Sequence, residues 1–449
     1  MGSAKSKSVQ EMLLAACDGL QAVPTGDAWD YGWGYEPYRR SGAPIMNSPE
    51  GPLTLNASGM EPFEAAVSKL LAESAVKERW YPEEFWSVIG SLIAVAKTKS
   101  DREAFVDSAV TQVRTVGPSL TVVLVSNVTW TAEPIAYGNF IVGKADKKFH
   151  ELLTSASNGR PSPIPSTWQE WVDEQVQPRI HGDDAPYPVV FACWTQGQGT
   201  LATKNAERLL DELIALCLLL EPDLAGHGVY RRGPTNRPGV RGLALDRGAI
   251  DRGLSDVARV ELASSPLVVG ELFGRQTQVE WFGSEPMPLG DLLVQTELRD
   301  AVFSCFEPDF LSRTVRLSAR WFEEAYFTLA RDDAALALGV ALDALLSGKA
   351  SLPGGAMADR YALLHPDVSV RKERRRVYQR AYSVRSAVAH GGTSSTLEEG
   401  DFIGDYLKTV HDAAWRTLAL RDTFAPKSGK QLDDLYDDLR LGVAIWPSS

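Results

Sequence analysis

Arg385 and His390 combine two side chains that phosphate chemistry uses, and four residues separate them. Histidine gains and loses a proton near neutral pH, so it suits proton transfer. Arginine stays charged and presents two parallel N–H donors, so it suits a phosphate group. The same spacing occurs by chance in many proteins, so its meaning depends on the elements that carry the two residues.

These two residues end a basic segment in an otherwise acidic protein. Seven basic side chains and one acid, Glu373, lie between residues 371 and 385, whereas the net charge of the chain is −12. The basic residues are Arg371, Lys372, Arg374, Arg375, Arg376, Arg380 and Arg385. Because an acidic surface repels a phosphate backbone, contact with a nucleic acid needs a local patch of this kind.

Two tyrosines, Tyr378 and Tyr382, interleave with the basic residues. Aromatic rings stack on unpaired bases, so the segment is a candidate site for single-stranded RNA. The expected RNA contacts are Arg374, Arg375, Tyr378 and Arg380. Two alternatives stay open: a solvated helix face, or a surface that complements acidic residues such as the pairs Asp433-Asp434 and Asp437-Asp438.

The spacing predicts a helix over residues 369–390 that stops at the glycine pair after His390. At about 100° per residue, one group of side chains falls on one side and predicts the core face. These residues are Val377, Ala381, Val384 and Val388. A polar stripe, Gln379, Ser383, Ser386 and His390, then lies opposite, with Tyr378, Tyr382 and Arg385 on a flank. We therefore expect His390 to point away from its own domain.

The elements around this helix predict an all-α domain over residues 296–440, arranged as a four-helix bundle. Amphipathic spacing covers 311–329, and residues 334–346 are apolar almost all round, which is typical of a buried helix. A short helix is predicted around 360–364, and a fourth long helix over 397–420. Asp343 is the one charge inside the apolar helix, and a buried carboxylate must be paired, with Arg385 or with Arg360 or Arg316.

Residues 1–292 predict a mixed α/β region that senses or docks, as one unit or as two with a boundary near residue 118. Strand signals lie at 120–125, 140–142, 188–194, 257–262, 266–272 and 279–282. Helical spacing covers 61–74, 82–97, 101–116, 146–157, 166–177 and 200–220. Residues 230–253 predict a long, Gly/Arg-rich solvated loop. The expected fold class of the whole chain is α+β.

The segment VYQRAYSVRSAVAHGG, residues 377–392, resembles the R-x4-6-H motif of HEPN domains, and most closely the Apea-like HEPN group. Three more segments are similar to that family: RWFEEA at 320–325, VALDALL at 340–346 and DRYALL at 359–364. The resemblance covers residues 311–440. Asp343 stands where the family usually has glutamate, and Ser386 where active relatives often have a larger polar residue.

The resemblance implies an endoribonuclease that needs neither a metal nor a cofactor. A 2′-hydroxyl of RNA attacks the adjacent phosphorus when a base removes its proton and a cation stabilises the phosphoryl oxygens. His390 would take the proton and Arg385 would bind the phosphate, with Ser386, Asp343 and Tyr382 in support. The two side chains diverge by about 140° on one helix, so a dimer that brings two motifs together would complete the site.

The same resemblance implies a setting in bacterial antiviral defence by abortive infection, or in toxin-like growth arrest. The competing hypothesis is an inactive HEPN module that serves dimerisation or ligand binding. The expected partners are RNA and a second copy of the chain.

Composition excludes several other classes of protein. A hydrophobic fraction of 44% with 9% aromatic residues is too high for a disordered chain. No apolar run is long enough to cross a bilayer, and the polar start with a short apolar stretch predicts no secretory signal. The four cysteines lie far apart with no ligand spacing, so we expect reduced thiols, no structural zinc and a cytoplasmic protein.

Three other segments have weaker functional patterns. The turn TQGQGT at 195–200 resembles a phosphate-binding turn but lacks the lysine of a Walker loop, so nucleotide binding is a minor hypothesis. His181, Asp183 and Asp184 are interpreted as a polar turn rather than a metal site. His411 is predicted to be a solvated helix residue.

Overall fold

The computed structural model of the protein describes residues 7–22, 45–48, 51–115, 119–126, 128–156, 189–195, 197–221, 239–247, 287–328, 330–349 and 352–447. Two antiparallel sheets and their helices lie before residue 248, and from residue 289 onward the described elements are helices. This arrangement agrees with the expected α+β class. No helix in the described ranges is long and apolar enough to span a membrane.

The first unit packs helices on a three-stranded sheet of order β1-β3-β2. Its elements are α1 (Val9–Asp18), β1 (Leu20–Ala22), β2 (Ile45–Ser48), β3 (Gly51–Leu55), α2 (Ala57–Leu71), α3 (Ser74–Lys77), α4 (Pro82–Lys97) and α5 (Arg102–Thr115). Ser8 and Glu11 form a capping box that satisfies the free amides at the start of α1. Apolar residues at helical spacing, such as Phe63, Phe85 and Ile89, meet in one core.

A five-stranded antiparallel sheet follows, with the order β5-β6-β7-β4-β8. Its elements, with the two helices that cover it, are β4 (Ser119–Ser126), β5 (Ile135–Tyr137), β6 (Phe140–Lys144), α6 (Lys147–Ala156), β7 (Val189–Thr195), α7 (Gly199–Leu220) and β8 (Gly239–Arg247). Every residue of β7 is buried because helices cover both faces of the sheet. Alternate residues of β7 face α6, as Val190 does, and α7, as Phe191 does.

The remaining helices form the C-terminal region. They are α8 (Leu289–Val294), α9 (Thr296–Ser304), α10 (Phe310–Phe327), α11 (Arg331–Leu346), α12 (Gly354–Leu363), α13 (Arg371–Ala389), α14 (Phe402–Phe424) and α15 (Gly429–Leu441). Asp309 caps α10 by accepting a hydrogen bond from the backbone N–H of Ser312 at 2.9 Å. Helix α11 is buried on most of its circumference and packs against α10, α13 and α14, as its apolar sequence predicts.

Helix α7 joins the sheet to the C-terminal helices. It packs on β4, β7 and β8 with one side and on α10 and α14 with the other. One continuous hydrophobic core therefore runs from Val123 in the sheet to Leu439 in the last helix. The boundary near residue 292 stays a prediction, but the apolar core crosses it.

His411 is buried, so the prediction that it is a solvated helix residue is wrong. Only 8% of the residue is exposed, and its Nδ1 lies 2.7 Å from the carbonyl oxygen of Leu219. Trp415, one turn further along α14, donates from Nε1 to the carbonyl of Leu220 at 3.2 Å. The carbonyls at the end of a helix lack partners within that helix, so His411 and Trp415 of α14 provide hydrogen-bond partners for the last carbonyls of α7.

The predicted loop over residues 230–253 is also wrong in part, because Gly239–Arg247 forms β8 and pairs with β4. The predicted helix at 166–177, the strands at 257–262, 266–272 and 279–282, and the turn at His181 lie outside the described residues.

Candidate functional site

Helix α13 carries the predicted site and ends where the sequence indicates. His390 follows the last helical residue, and its backbone N–H donates to the carbonyl of Ser386 at 3.2 Å. Gly391 then adopts the left-handed conformation, with φ of 74°, which terminates the helix. The His390 side chain is exposed and Ser386 is half-buried, so the imidazole points to solvent as predicted.

The core face of α13 differs from the prediction. Ala381 and Val384 are buried as expected, but Val377 is 37% exposed and Tyr378 is only 2% exposed. The large ring of Tyr378 buries more area than a valine, and its hydroxyl has a polar partner inside the protein, so its burial is favourable. Tyr378 is therefore not available to stack on an RNA base, in contrast to the predicted RNA contact.

Tyr378, Asp343 and Arg385 form a connected network between α13 and α11. The Tyr378 hydroxyl donates to Oδ1 of Asp343 at 3.0 Å, and Nη1 of Arg385 lies 3.1 Å from Oδ2 of the same carboxylate. Of the three predicted partners of Asp343, Arg385 is therefore the one observed. Arg360 pairs instead with Asp433 and Arg316 with Glu212.

Burial and the two partners of Asp343 have opposite effects on its pKa. Burial raises the pKa of Asp343, whereas the Arg385 charge and the Tyr378 hydrogen bond lower it. Burial also raises the pKa of Tyr378, so its hydroxyl keeps its proton as the donor. The Arg385 side chain is 30% exposed, so part of it stays accessible to solvent while Nη1 is paired with Asp343.

Tyr382 and Gly339 complete the surroundings of Arg385. The ring of Tyr382 stacks on that of Tyr378 with centroids 6.1 Å apart, and it packs over Gly354 at the start of α12. The stem of Arg385 crosses α11 directly over Gly339. Sequence reasoning missed Gly339, although a lone glycine inside an alanine- and leucine-rich helix is a signal for close packing.

Most of the basic segment is neutralised by acidic neighbours. The observed pairs are Arg374–Asp412, Arg375–Asp359, Arg376–Glu373, Arg380–Glu399 and Arg385–Asp343. The predicted complement at Asp433 binds Arg360 instead. Arg374 is mostly buried against Asp412 and the Tyr361 ring, which makes it a structural residue. Arg375 and Arg380 are half-exposed, so their guanidinium groups can still meet a phosphate.

The outward stripe of α13 keeps its cations accessible. Lys372, Arg376, Ser383 and His390 are exposed and share one side of the helix. A polyanion that lies along this stripe would meet the two cations before it reaches His390.

A shallow groove of about 480 Å³ lies between the start of α13 and α14. Tyr361, Val377 and Lys408 line it, together with the Arg374–Asp412 ion pair. It lies on the flank of α13 that faces α14, whereas His390 lies on the outward side.

The weaker patterns do not become sites in the described residues. The backbone N–H of Gln198 donates to the carbonyl of Arg79 at 2.9 Å, and Lys204 lies over the Tyr81 ring, so the first unit covers the start of α7. Nothing there supports the nucleotide hypothesis. The four cysteines are buried thiols, and no group of histidine, cysteine or acidic side chains with metal-ligand geometry is found in the described ranges.

Comparison with known proteins finds no relative: no family model matches the chain, and no curated protein or solved structure matches it significantly. The functional conclusion therefore depends on the residues and their geometry.

Proposed function

We propose that this protein is a metal-independent endoribonuclease of the HEPN type, whose cleaving surface is the end of α13. The single observation that carries the proposal is the state of Arg385. Nη1 of Arg385 pairs with Asp343, while the side chain stays 30% exposed, five positions before an exposed histidine on the same helix. An arginine held in this way is oriented before it meets a phosphate, which is what stabilisation of a transition state needs.

The proposed reaction uses only these two side chains. His390 takes the proton of a 2′-hydroxyl, and the oxygen attacks the adjacent phosphorus. The bond from phosphorus to the 5′-oxygen breaks, and the leaving oxygen takes up a proton from water, while the proton on His390 returns to solvent. A 2′,3′-cyclic phosphate and a 5′-hydroxyl end are formed. Arg385 binds the phosphoryl oxygens and stabilises the charge that builds on them.

The proposal requires two copies of the chain. Five positions along a helix turn the side chain by about 140°, so Arg385 and His390 of one copy face different directions. Across a two-fold axis, Arg385 of one copy would face His390 of the other and complete a composite site. The exposed stripe of α13 is the surface proposed to meet its equivalent.

The cleavage test uses the full chain and single-stranded RNA in EDTA. Arg385→Ala and His390→Ala are expected to lose cleavage by about 10²- to 10⁴-fold, because each removes a group of the transition state. Arg440→Ala removes an exposed cation of another helix, α15, and His150→Ala a remote histidine; both should stay active. Inertness of the wild-type protein, or loss in EDTA alone, would contradict the proposal.

A mixing experiment tests the composite site. When Arg385→Ala and His390→Ala proteins exchange subunits, about half of the dimers are mixed, and each mixed dimer has one intact site of two. Cleavage should then recover to about a quarter of the wild-type rate. No recovery in a verified mixture of dimers would place both residues in one copy.

The second candidate function is an inactive module that serves dimerisation or ligand binding. The ion pairs of five basic residues on α13 favour it, since they reduce the charge offered to RNA. The groove beside Lys408 and Val377 would be its ligand site. A wild-type protein that binds RNA no better than Arg385→Ala, and that does not cleave it, would support this alternative.

The resemblance to Apea-like HEPN domains supports a biological setting for the first candidate. We propose that the nuclease acts in the cytoplasm in antiviral defence or growth arrest, with residues 1–292 sensing the trigger. The continuous core between the sheet and the C-terminal helices offers a physical connection between the two parts. Expression with and without phage challenge, in cells that carry wild-type or His390→Ala protein, tests this setting.

A further inference from the structure

We infer that Gly339 and Tyr378 are positioning residues that set the orientation of the Arg385 guanidinium. The inference deepens the proposed function, on which its catalytic consequence rests, but its structural part can be tested without RNA. Neither residue would touch the substrate: Tyr378 is buried, and Gly339 has no side chain.

Gly339 provides the space that the arginine stem occupies. A methyl group at this position would lie 2.6 Å from Cγ of Arg385, 2.8 Å from Cδ and 3.1 Å from Nε. Carbon atoms that are not bonded prefer separations of about 3.5 to 4.0 Å, so any side chain here displaces the arginine from α11. Glycine in a helix interior is less favourable than alanine by about 0.5–1 kcal/mol, so close approach is a physical reason for its presence.

Tyr378 fixes the carboxylate that receives the arginine. Asp343 lies four residues after Gly339, so both face the same side of α11. The Tyr378 hydroxyl occupies Oδ1 of Asp343 and leaves Oδ2 for Arg385. Because each oxygen has its own partner, the carboxylate cannot rotate without losing a partly buried hydrogen bond.

The arrangement leaves part of the Arg385 side chain accessible. Nη1 makes the ion pair with Asp343, and Nε lies against Gly339 on α11. The side chain is still 30% exposed, and a guanidinium held by one nitrogen has further N–H donors for the oxygens of a phosphate. The roles of Gly339 and Tyr378 are thus to hold the guanidinium against α11 in one orientation.

The structural test is a double-mutant cycle of Gly339→Ala and Arg385→Ala, in which the Tm of each variant is measured by thermal unfolding. With Arg385 present, Gly339→Ala should lower the Tm, because the stem and its ion pair are displaced. In the Arg385→Ala background the clash is gone, and the helix preference of alanine should raise the Tm. The matched control is Gly355→Ala in α12, where a methyl group meets nothing within 4 Å, so its shift should be equal in both backgrounds.

The catalytic test uses the same variants with RNA. Gly339→Ala should lower kcat/KM by on the order of 10- to 100-fold, as a small displacement of a catalytic group does. Tyr378→Phe keeps the buried ring and should cause a smaller loss. Neither change should lower the residual activity of Arg385→Ala further, whereas a merely structural effect would lower it.

The results test the positioning of Arg385 and the proposed nuclease activity separately. Equal Tm shifts of Gly339→Ala in both backgrounds would overturn the positioning inference. A sign reversal of the Tm shift in a protein that never cleaves RNA would support the positioning inference and refute the nuclease.

Discussion

Glu212 offers the sharpest test of how the N-terminal part is joined to the C-terminal helices. Its carboxylate is 8% exposed on α7 and faces Arg320 and Arg316 of α10. Nη2 of Arg320 donates a hydrogen bond to Oε1 of Glu212, and Nε of Arg316 lies 3.6 Å from Oε2 of the same carboxylate. The perturbation is Glu212→Gln, which keeps the shape of the side chain and removes its charge.

The expected loss in the free energy of unfolding depends on the partners that Arg316 and Arg320 retain after the substitution. Breaking a buried ion pair costs about 3–5 kcal/mol when the remaining charge stays unpaired. Arg320 is 45% exposed and regains water, and Arg316, although 18% exposed, still donates to the carbonyls of Cys305 and Glu307. We therefore expect a loss of about 2–3 kcal/mol in the free energy of unfolding, below the usual range.

The assay is equilibrium unfolding in urea, monitored by circular dichroism. The control is Glu151→Gln, which breaks the exposed pair between Glu151 and Lys147, where the two side chains are 62% and 87% exposed. Exposed pairs contribute about 0–1 kcal/mol, so the control should shift the midpoint little. If Glu212→Gln is no more destabilising than this control, the buried pair does not hold α7 on α10 and the reasoning is wrong.

Three further predictions concern the same architecture. Burial lowers the pKa of His411. The contribution of His411 to stability is therefore present above its pKa in the unfolded chain and is lost as the pH falls through its pKa in the folded protein. The Tm should fall more on acidification in the wild type than in His411→Gln. A fragment of residues 296–440 lacks α7, so its exposed core should prevent a cooperative thermal transition, and a sharp transition would show that the bundle is independent. Asp433→Asn should destabilise the protein by about 2–4 kcal/mol in urea because it leaves the buried Arg360 unpaired, whereas exposed Asp434→Asn should have almost no effect.

Local patterns predicted the elements that depend on neighbours along the chain. The helix predicted at 82–97 is observed as Pro82–Lys97, and that at 200–220 as Gly199–Leu220. Apolar spacing and flanking glycine or proline determine such elements, since both act within one or two turns. The same reasoning identified Asp343 as a carboxylate in need of a partner, although it is only half-buried, and predicted the exposure of His390 at the end of α13.

Contacts between distant residues were beyond such patterns. Val377 and Tyr378 lie one position apart on α13, and only the packing of α11 and α12 decides which of them is buried. His411 has a polar sequence context, but its partner is a carbonyl 192 residues away. Residues 239–247 contain glycine and arginine, which favour a loop, yet β4 supplies the hydrogen bonds that make them a strand.

The sequence by itself determined which residues can do chemistry: a guanidinium and an imidazole at the end of a cationic helix, with one carboxylate in the helix beside it. The tertiary structure decided how they are held. Asp343 binds Arg385, Tyr378 supports the carboxylate rather than meeting RNA, Gly339 makes room for the arginine, and acidic neighbours cancel much of the cationic run. The physical reason is that residue type and spacing are local, whereas burial and charge pairing arise only when helices far apart in the chain come within a few ångströms of each other.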